Sequence, residues 1–221
     1  MTPAASLPPA ARLIRVMTLV SLACGLLIVV AHQGTREPIR RNQAELAREN
    51  VALLVPGGAK QLTYLVAADG GISLFEGDAA GKEHFVAVYA ADGDLRGVVW
   101  SAGERGYADM ILGMFAYDPG KEIITGFRAV EMKETPGLGD KINTDPEFQA
   151  NFRALDARST AGGLVNPIRA VKHGSKKHPW EIDAISGATI SSRAVGRMLD
   201  RSAARMAPII RRNLERIQKG Q

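Results

Sequence analysis

Leu13 to Ala31 is a 19-residue apolar run whose only charged residue, Arg15, sits near its start. As a helix rising ~1.5 Å per residue it spans about 28 Å, close to the hydrocarbon thickness of a bilayer. Two fates are open to such a run: cleavage as a signal peptide, or retention as an anchor. A signal peptide is disfavoured, because the run is long for one and no small-x-small site follows in VVAHQGTREP. A retained single-span anchor over residues 1–34 is therefore expected, with Arg15 snorkelling to the interface. Arg12 and Arg15 precede the run, and Arg36, Arg40 and Arg41 follow it, so counting cations leaves the orientation open.

The remainder is long enough for one folded domain, and 46% hydrophobic against 23% charged residues is the composition of a packed chain. The single cysteine, Cys24, lies inside the apolar run, so the rest of the chain has no thiol. That excludes an intramolecular disulfide, a cysteine-based zinc site and an iron–sulfur cluster. The four histidines are scattered, and His173 and His178 fall in a Lys-rich, Pro-containing stretch that reads as a solvated loop, so no metal site is expected. Redox chemistry here would require an organic cofactor.

The net charge of +5 is unevenly spread. Residues 1–50 carry +3 and residues 191–221 carry +6, whereas the stretch between them carries −4. With only 5% aromatic residues and no basic groove interleaved with them, nucleic acid is not an expected partner.

Residues 35–57 read as a polar linker helix, broken by Pro56-Gly57-Gly58, and residues 58–221 as one domain. Strand-like runs alternate there with turn residues: LTYLVA, ISLF, HFVAVYA, LRGVVW, ADMILGMFAY and EIITGFRAV. Thr144-Asp145-Pro146-Glu147 starts a helix predicted over 145–158, and a strand is predicted near 167–173. The last element, about 190–219, is an amphipathic helix that Pro208 should kink or interrupt. On it Arg193, Arg197, Arg201 and Arg205 form an i, i+4 stripe, read either as a solvated face or as a contact for anionic headgroups or an acidic partner. Strands and helices in segregated blocks predict an α+β fold.

Two motifs carry chemistry. In DAISGATISSR, Asp183 to Arg193, three small residues precede a hydroxyl residue at a helix start. Small side chains let a ligand approach the backbone, and free N–H groups with the positive end of the helix dipole favour a phosphate. Thr189 would place a hydroxyl at the same spot, open to ester formation. The plainer alternative is that these hydroxyls cap the helix. In EMKETPGLGDKI, Glu131 to Ile142, two glycines and a proline make a rigid exposed loop after a strand. Leu138 on it could cover an aromatic ring while Thr135 and backbone N–H groups donate hydrogen bonds. The alternative is an ordinary turn joining strand to helix.

ETPGLGDKI and DAISGATISSRAV, in this order and preceded by GYADMILGMF, resemble the FMN-binding domain of the G-type subunit of the Rnf ion-translocating electron-transport complex. The same domain occurs in the C-type subunit of the sodium-pumping NADH:quinone oxidoreductase, which is the alternative within this class. The resemblance implies that Thr189 accepts FMN in a phosphoester bond made by a flavin transferase. It implies that Ser186, Gly187 and Ala188 shape the phosphate end and that Asp183 belongs to the attachment signature. Glu134, Thr135, Gly137, Leu138 and Gly139 would line the isoalloxazine, with Lys141 nearby. Met132 stands where many family members have histidine. The implied protein is a single-pass subunit of the bacterial inner membrane, its α+β flavin domain on the periplasmic side. Among partner membrane subunits and lipid it would relay electrons within a ferredoxin:NAD oxidoreductase coupled to ion transport. It would not be a complete enzyme alone. The alternative of a different class is a membrane-tethered binding or assembly module without covalent flavin.

Overall fold

The computed structural model describes residues 10–77, 79 and 81–221, without the side chains of Ala11, Arg40 and Arg41; residues 1–9 of the expected anchor lie outside these. The chain divides into two compact units, Met1–Ala47 and Arg48–Gln221. The first consists of helix α1 (Ala10–Leu54) up to Ala47. Its apolar part is long and hydrophobic enough to cross a membrane, with mean hydropathy 2.5 over its most apolar window. Leu19, Leu22, Leu26, Leu27 and Ile28 all expose their side chains. Thr18 donates its hydroxyl to the Ile14 carbonyl (2.8 Å), so the helix itself satisfies this polar group within the apolar run.

The second unit begins with the last turns of α1 and continues as an antiparallel sheet. Its strands are β1 (Lys60–Val66), β2 (Ile72–Phe75), β3 (His84–Tyr89), β4 (Leu95–Arg105), β5 (Met110–Asp118) and β6 (Ile123–Glu131). A short β7 (Leu155–Asp156) completes the order β2-β1-β3-β4-β5-β6-β7. Each of the six runs read from sequence forms one of the first six strands, because alternating side chains and Asp-Gly turns specify a hairpin strongly. Alternation divides the sheet into two faces. Phe85, Ala87, Trp100, Ile111, Phe115, Tyr117 and Phe127 enter the main core. Val88, Val99, Met114 and Ala116 form a smaller cluster with Val51 and Val55 from the end of α1 and the turn after it.

Between β6 and the last helix lie α2 (Lys141–Thr144), α3 (Pro146–Ala150) and a 3-10 turn (Asn151–Arg153). Four short strands follow: β8 (Ser159–Thr160), β9 (Gly163–Leu164), β10 (Arg169–Val171) and β11 (Glu181–Asp183). The Asp145 start is as read: its carboxyl accepts from the Phe148 N–H (2.9 Å), with Pro146 in the first turn. The predicted helix over 145–158 is shorter, however. Asn151 diverts its side chain to β11, and Leu155 pairs with Ile124 as the last strand of the sheet, so tertiary bonds override the helical pattern.

The main core is closed by α4 (Thr189–Arg212), followed by α5 (Leu214–Gln218). Val195, Met198, Leu199, Ala203, Met206 and Ile210 bury one face of α4, and Trp100 Nε1–H donates to Ser202 Oγ (3.0 Å). Pro208 does not interrupt α4. The helix runs to Arg212 and ends at Asn213, whose amide donates to the Ile209 carbonyl (2.9 Å). Gly196 faces the parallel pair β10–β11, where a Cβ would lie 2.9 Å from the Ala170 nitrogen. Gly196→Ala therefore lowers stability by about 1–2 kcal/mol, the overpacking exceeding alanine's helix-propensity gain of about 1 kcal/mol. Denaturant titration checks this, and a stabilised variant would show that α4 does not sit tightly on β10.

Candidate functional site

The loop after β6 and the turn before α4 meet. Leu138 Cδ2 lies 3.7 Å from where a Cβ on Gly187 would stand, and Gly187 itself holds φ +83°, a conformation glycine adopts without strain. Glu134, on the same loop, is a buried residue, 8% exposed. Its Oε2 accepts from the Ser191 hydroxyl (2.5 Å) and its Oε1 from the Ala108 backbone N–H (3.1 Å). One side chain thus ties together the loop, the first turn of α4 and the turn between β4 and β5.

Glycine is required around that carboxyl. A Cβ on Gly139 would fall 2.5 Å from Glu134 Oε2, and one on Gly106 would strike Glu134 Oε1. The family resemblance places both Glu134 and Gly139 against the isoalloxazine. In this structure Glu134 is buried with both carboxyl oxygens hydrogen-bonded within the chain, and Gly139 gives it room. Thr135, Gly137 and Leu138 are exposed on the loop, with Leu138 48% exposed. Gly137 has φ +75°, and the N–H groups of Leu138 and Gly139 both turn back to the Thr135 carbonyl (3.1 and 3.0 Å). Met132 is partly buried against the main core.

The hydroxyls at the start of α4 divide between two tasks. Ser191 donates to Glu134, and Ser192 Oγ donates to the Ala188 carbonyl (2.9 Å) while accepting from the Ile185 N–H (3.1 Å). The residue before the helix is Ala188, and no side chain caps it. Thr189 is the first helical residue, half-buried, and its hydroxyl has no hydrogen-bond partner among the described residues. The first backbone bond at this end is Ser192 N–H to Ala188 O, so among the described residues the N–H groups of Thr189, Ile190 and Ser191 find no acceptor. Side-chain capping, the plainer expectation for these hydroxyls, is not what the structure contains.

Asp183 has a different task. Its carboxyl accepts the Gly174 N–H (2.8 and 3.0 Å) and lies 3.6 Å from His173 Nδ1, holding the 172–175 turn. Its backbone is gripped by Asn151, which accepts from the Asp183 N–H (3.0 Å) and donates to the Asp183 carbonyl (3.2 Å). Asn143 grips Ala129 of β6 in the same two-bond way (2.7 Å each). Neither asparagine stands out in the sequence. Lys141, His173, Asp183 and Ser186 are among the residues lining a cleft of about 220 Å³. Among the described residues no group of three metal-ligating side chains is present.

Residues 106–204 match the family model described as the FMN-binding domain. This match bears out the resemblance drawn from the two motifs. The span contains both motifs and the Gly106 and Ala108 positions beneath them. The G-type subunit of the ion-translocating oxidoreductase complex of Methanosarcina acetivorans is 29% identical over 83% of this chain and 87% of its own length. The C-type subunit of the Na(+)-translocating NADH-quinone reductase of Pasteurella multocida is 31% identical over 54% of this chain and 47% of its own length. Among solved structures, Shewanella oneidensis NqrC superposes with a TM-score of 0.57 at 21% identity, over 84% of this chain and 98% of that one, a likeness of fold. The α+β architecture expected from sequence is the one observed, with the apolar helix ahead of it.

The FMN-binding residues expected from sequence fit such a group at one place. An unengaged hydroxyl, three unpaired N–H groups and a helix N-terminus converge on Thr189, with an exposed leucine beside Gly187. Removing the strut below should loosen this arrangement. Ser191→Ala leaves a buried Glu134 oxygen without its donor, costing about 1–3 kcal/mol and lowering the thermal midpoint by roughly 2–8 °C. An unchanged midpoint would mean that the carboxyl is not held as described.

β11, which delivers Asp183, is secured by Glu181. The backbone N–H of Lys177 (2.8 Å) and the Arg169 guanidinium (2.8 Å) pull its carboxyl down to about 2. Because the folded value lies below the unfolded one, the stabilisation is present above about pH 4.5 and is lost as pH falls toward about 2. Thermal midpoints measured across that window should fall more steeply for the wild type than for Glu181→Gln. Parallel curves would show that Glu181 contributes nothing to acid sensitivity.

Proposed function

We propose that this chain is a membrane-anchored subunit that carries FMN, esterified through its phosphate to Thr189, and relays electrons within an Rnf-type ion-translocating complex. The observation that carries this reading is the half-buried Thr189 hydroxyl, unengaged at a helix start whose other two hydroxyls are both consumed internally. A binding module without covalent flavin would have no use for that arrangement. Ser186, Gly187 and Ala188 keep the approach to the phosphate end clear, and Asp183, three residues before Ser186, holds the 172–175 turn. Thr135, Gly137 and Leu138 offer an exposed loop for the ring system, with Lys141 beyond it.

When bound, FMN supplies the redox chemistry. The chain's own residues anchor and orient it, and covalent attachment prevents its loss from an exported domain. The chain is not a complete enzyme alone. Residues 1–34 serve as the anchor in the bacterial inner membrane, residues 35–57 as the linker, and residues 58–221 as the flavin domain on the periplasmic side. Partner subunits and lipid surround it in the complex, and a flavin transferase matures it. Assignment to the G-type subunit, with ferredoxin and NAD as the redox partners of the complex, is favoured over the C-type subunit. The similarity to the Methanosarcina G-type relative extends over most of both chains, whereas that to the Pasteurella C-type relative covers about half.

In-gel fluorescence of the denatured protein, co-expressed with a flavin transferase, tests the attachment. Wild-type protein should fluoresce and Thr189→Ala should be dark. A dark wild type, with the transferase active on another substrate, would move the assignment to the binding module.

A further inference from the structure

The arginine stripe of α4 is uneven. Arg197 and Arg201 both pair with Glu104 (3.1 and 2.8 Å), and Arg205 pairs with Glu83 through two hydrogen bonds (2.5 and 2.7 Å). These three are contacts within the domain, tying α4 to β4 and to the segment before β3. Arg193, the first of the stripe, is exposed and has neither an ion pair nor a hydrogen bond among the described residues. It is also four residues after Thr189, so the stripe begins on the attachment threonine itself.

Side chains four apart on a helix have Cβ atoms roughly 5–6 Å from one another. Each Cα–Cβ bond tilts toward the helix N-terminus, so a long side chain at 193 lies over the turn that starts with Thr189. A guanidinium brought there by helix geometry presents paired donors to phosphate oxygens. The three unpaired N–H groups belong to the same first turn of α4.

We infer that Arg193 is the cationic partner of the phosphate held at Thr189, a binding residue that the two motifs do not include. This rests on the attachment proposed above. It assigns Arg193 a role distinct from the other three arginines: they hold the helix down, and it holds the ligand. Because Arg193 is exposed and unpaired, replacing it leaves the fold intact.

The test uses full-length protein loaded by a flavin transferase, as wild type, Arg193→Ala, Arg193→Lys and Arg201→Ala. Phosphorus NMR of the folded, loaded proteins reads the phosphoester directly. The resonance should shift and narrow in Arg193→Ala, recover in part in Arg193→Lys, and stay at its wild-type position in Arg201→Ala. The initial rate of loading should fall roughly tenfold in Arg193→Ala, the scale of one charge-assisted contact. A wild-type phosphorus resonance in Arg193→Ala overturns the inference, even if loading slows, because the arginine would then be acting on the transferase. Absence of covalent flavin in the wild type removes the attachment itself, an outcome separate from the loss of Arg193's role.

Discussion

The buried carboxyl of Glu134 is what the rest of the site depends on. It is a buried polar group, and such a group is costly unless each oxygen has a donor. Ser191 on α4 and Ala108 on the turn after β4 supply those donors. Three segments far apart in the chain therefore converge on one point. The same point fixes two glycines, since Gly106 and Gly139 leave no room for a Cβ beside it. Leu138 is four residues from Glu134 and exposed, so the strut determines where that side chain stands relative to Gly187. The loop is exposed, but its base is anchored through Glu134.

That arrangement is only partly legible in the sequence. The first six strands can be read because alternation and Asp-Gly turns are local signals that tertiary structure reinforces. The strands β7 to β11, of two or three residues each, are too short to show a period, and of these only β10 falls where a strand is predicted, near 167–173. The helix over 145–158 fails for a related reason. Asn151 could have continued a helix, but its amide satisfies the Asp183 backbone as a neighbouring strand would, and nothing local announces that choice. Pro208 reads as a breaker, yet a single missing N–H does not end a helix whose buried face continues through Ile209 and Ile210.

The motifs themselves can be found from residue order, while the roles within them cannot. ETPGLG and SGAT indicate that a loop and a helix start belong together, and the Leu138–Gly187 contact agrees with that. The family resemblance puts Glu134 beside a ligand. Only the fold shows it turned inward, because the donors that receive it come from residues 26 positions before and 57 after it. Conversely, Arg193 looks like one member of a uniform stripe until the acidic residues opposite its neighbours are in place.

On the attachment proposed above, the hydroxyls at the start of α4 differ in what reaction would cost them. Thr189, Ser191 and Ser192 lie within one turn, so the first turn of α4 offers three hydroxyl oxygens to a phosphoryl donor, with Ser186 exposed in the turn before it. Ser192 is fully buried, donating to Ala188 and accepting from Ile185, and Ser191 is buried and spent on Glu134. To react, either would have to give up its hydrogen bonds and leave a buried partner unsatisfied, at about 1–3 kcal/mol each. Thr189 gives up nothing. On the attachment proposed above, the choice among the three hydroxyls of this turn follows from the same bonds that hold the helix, the loop and the β4–β5 turn together.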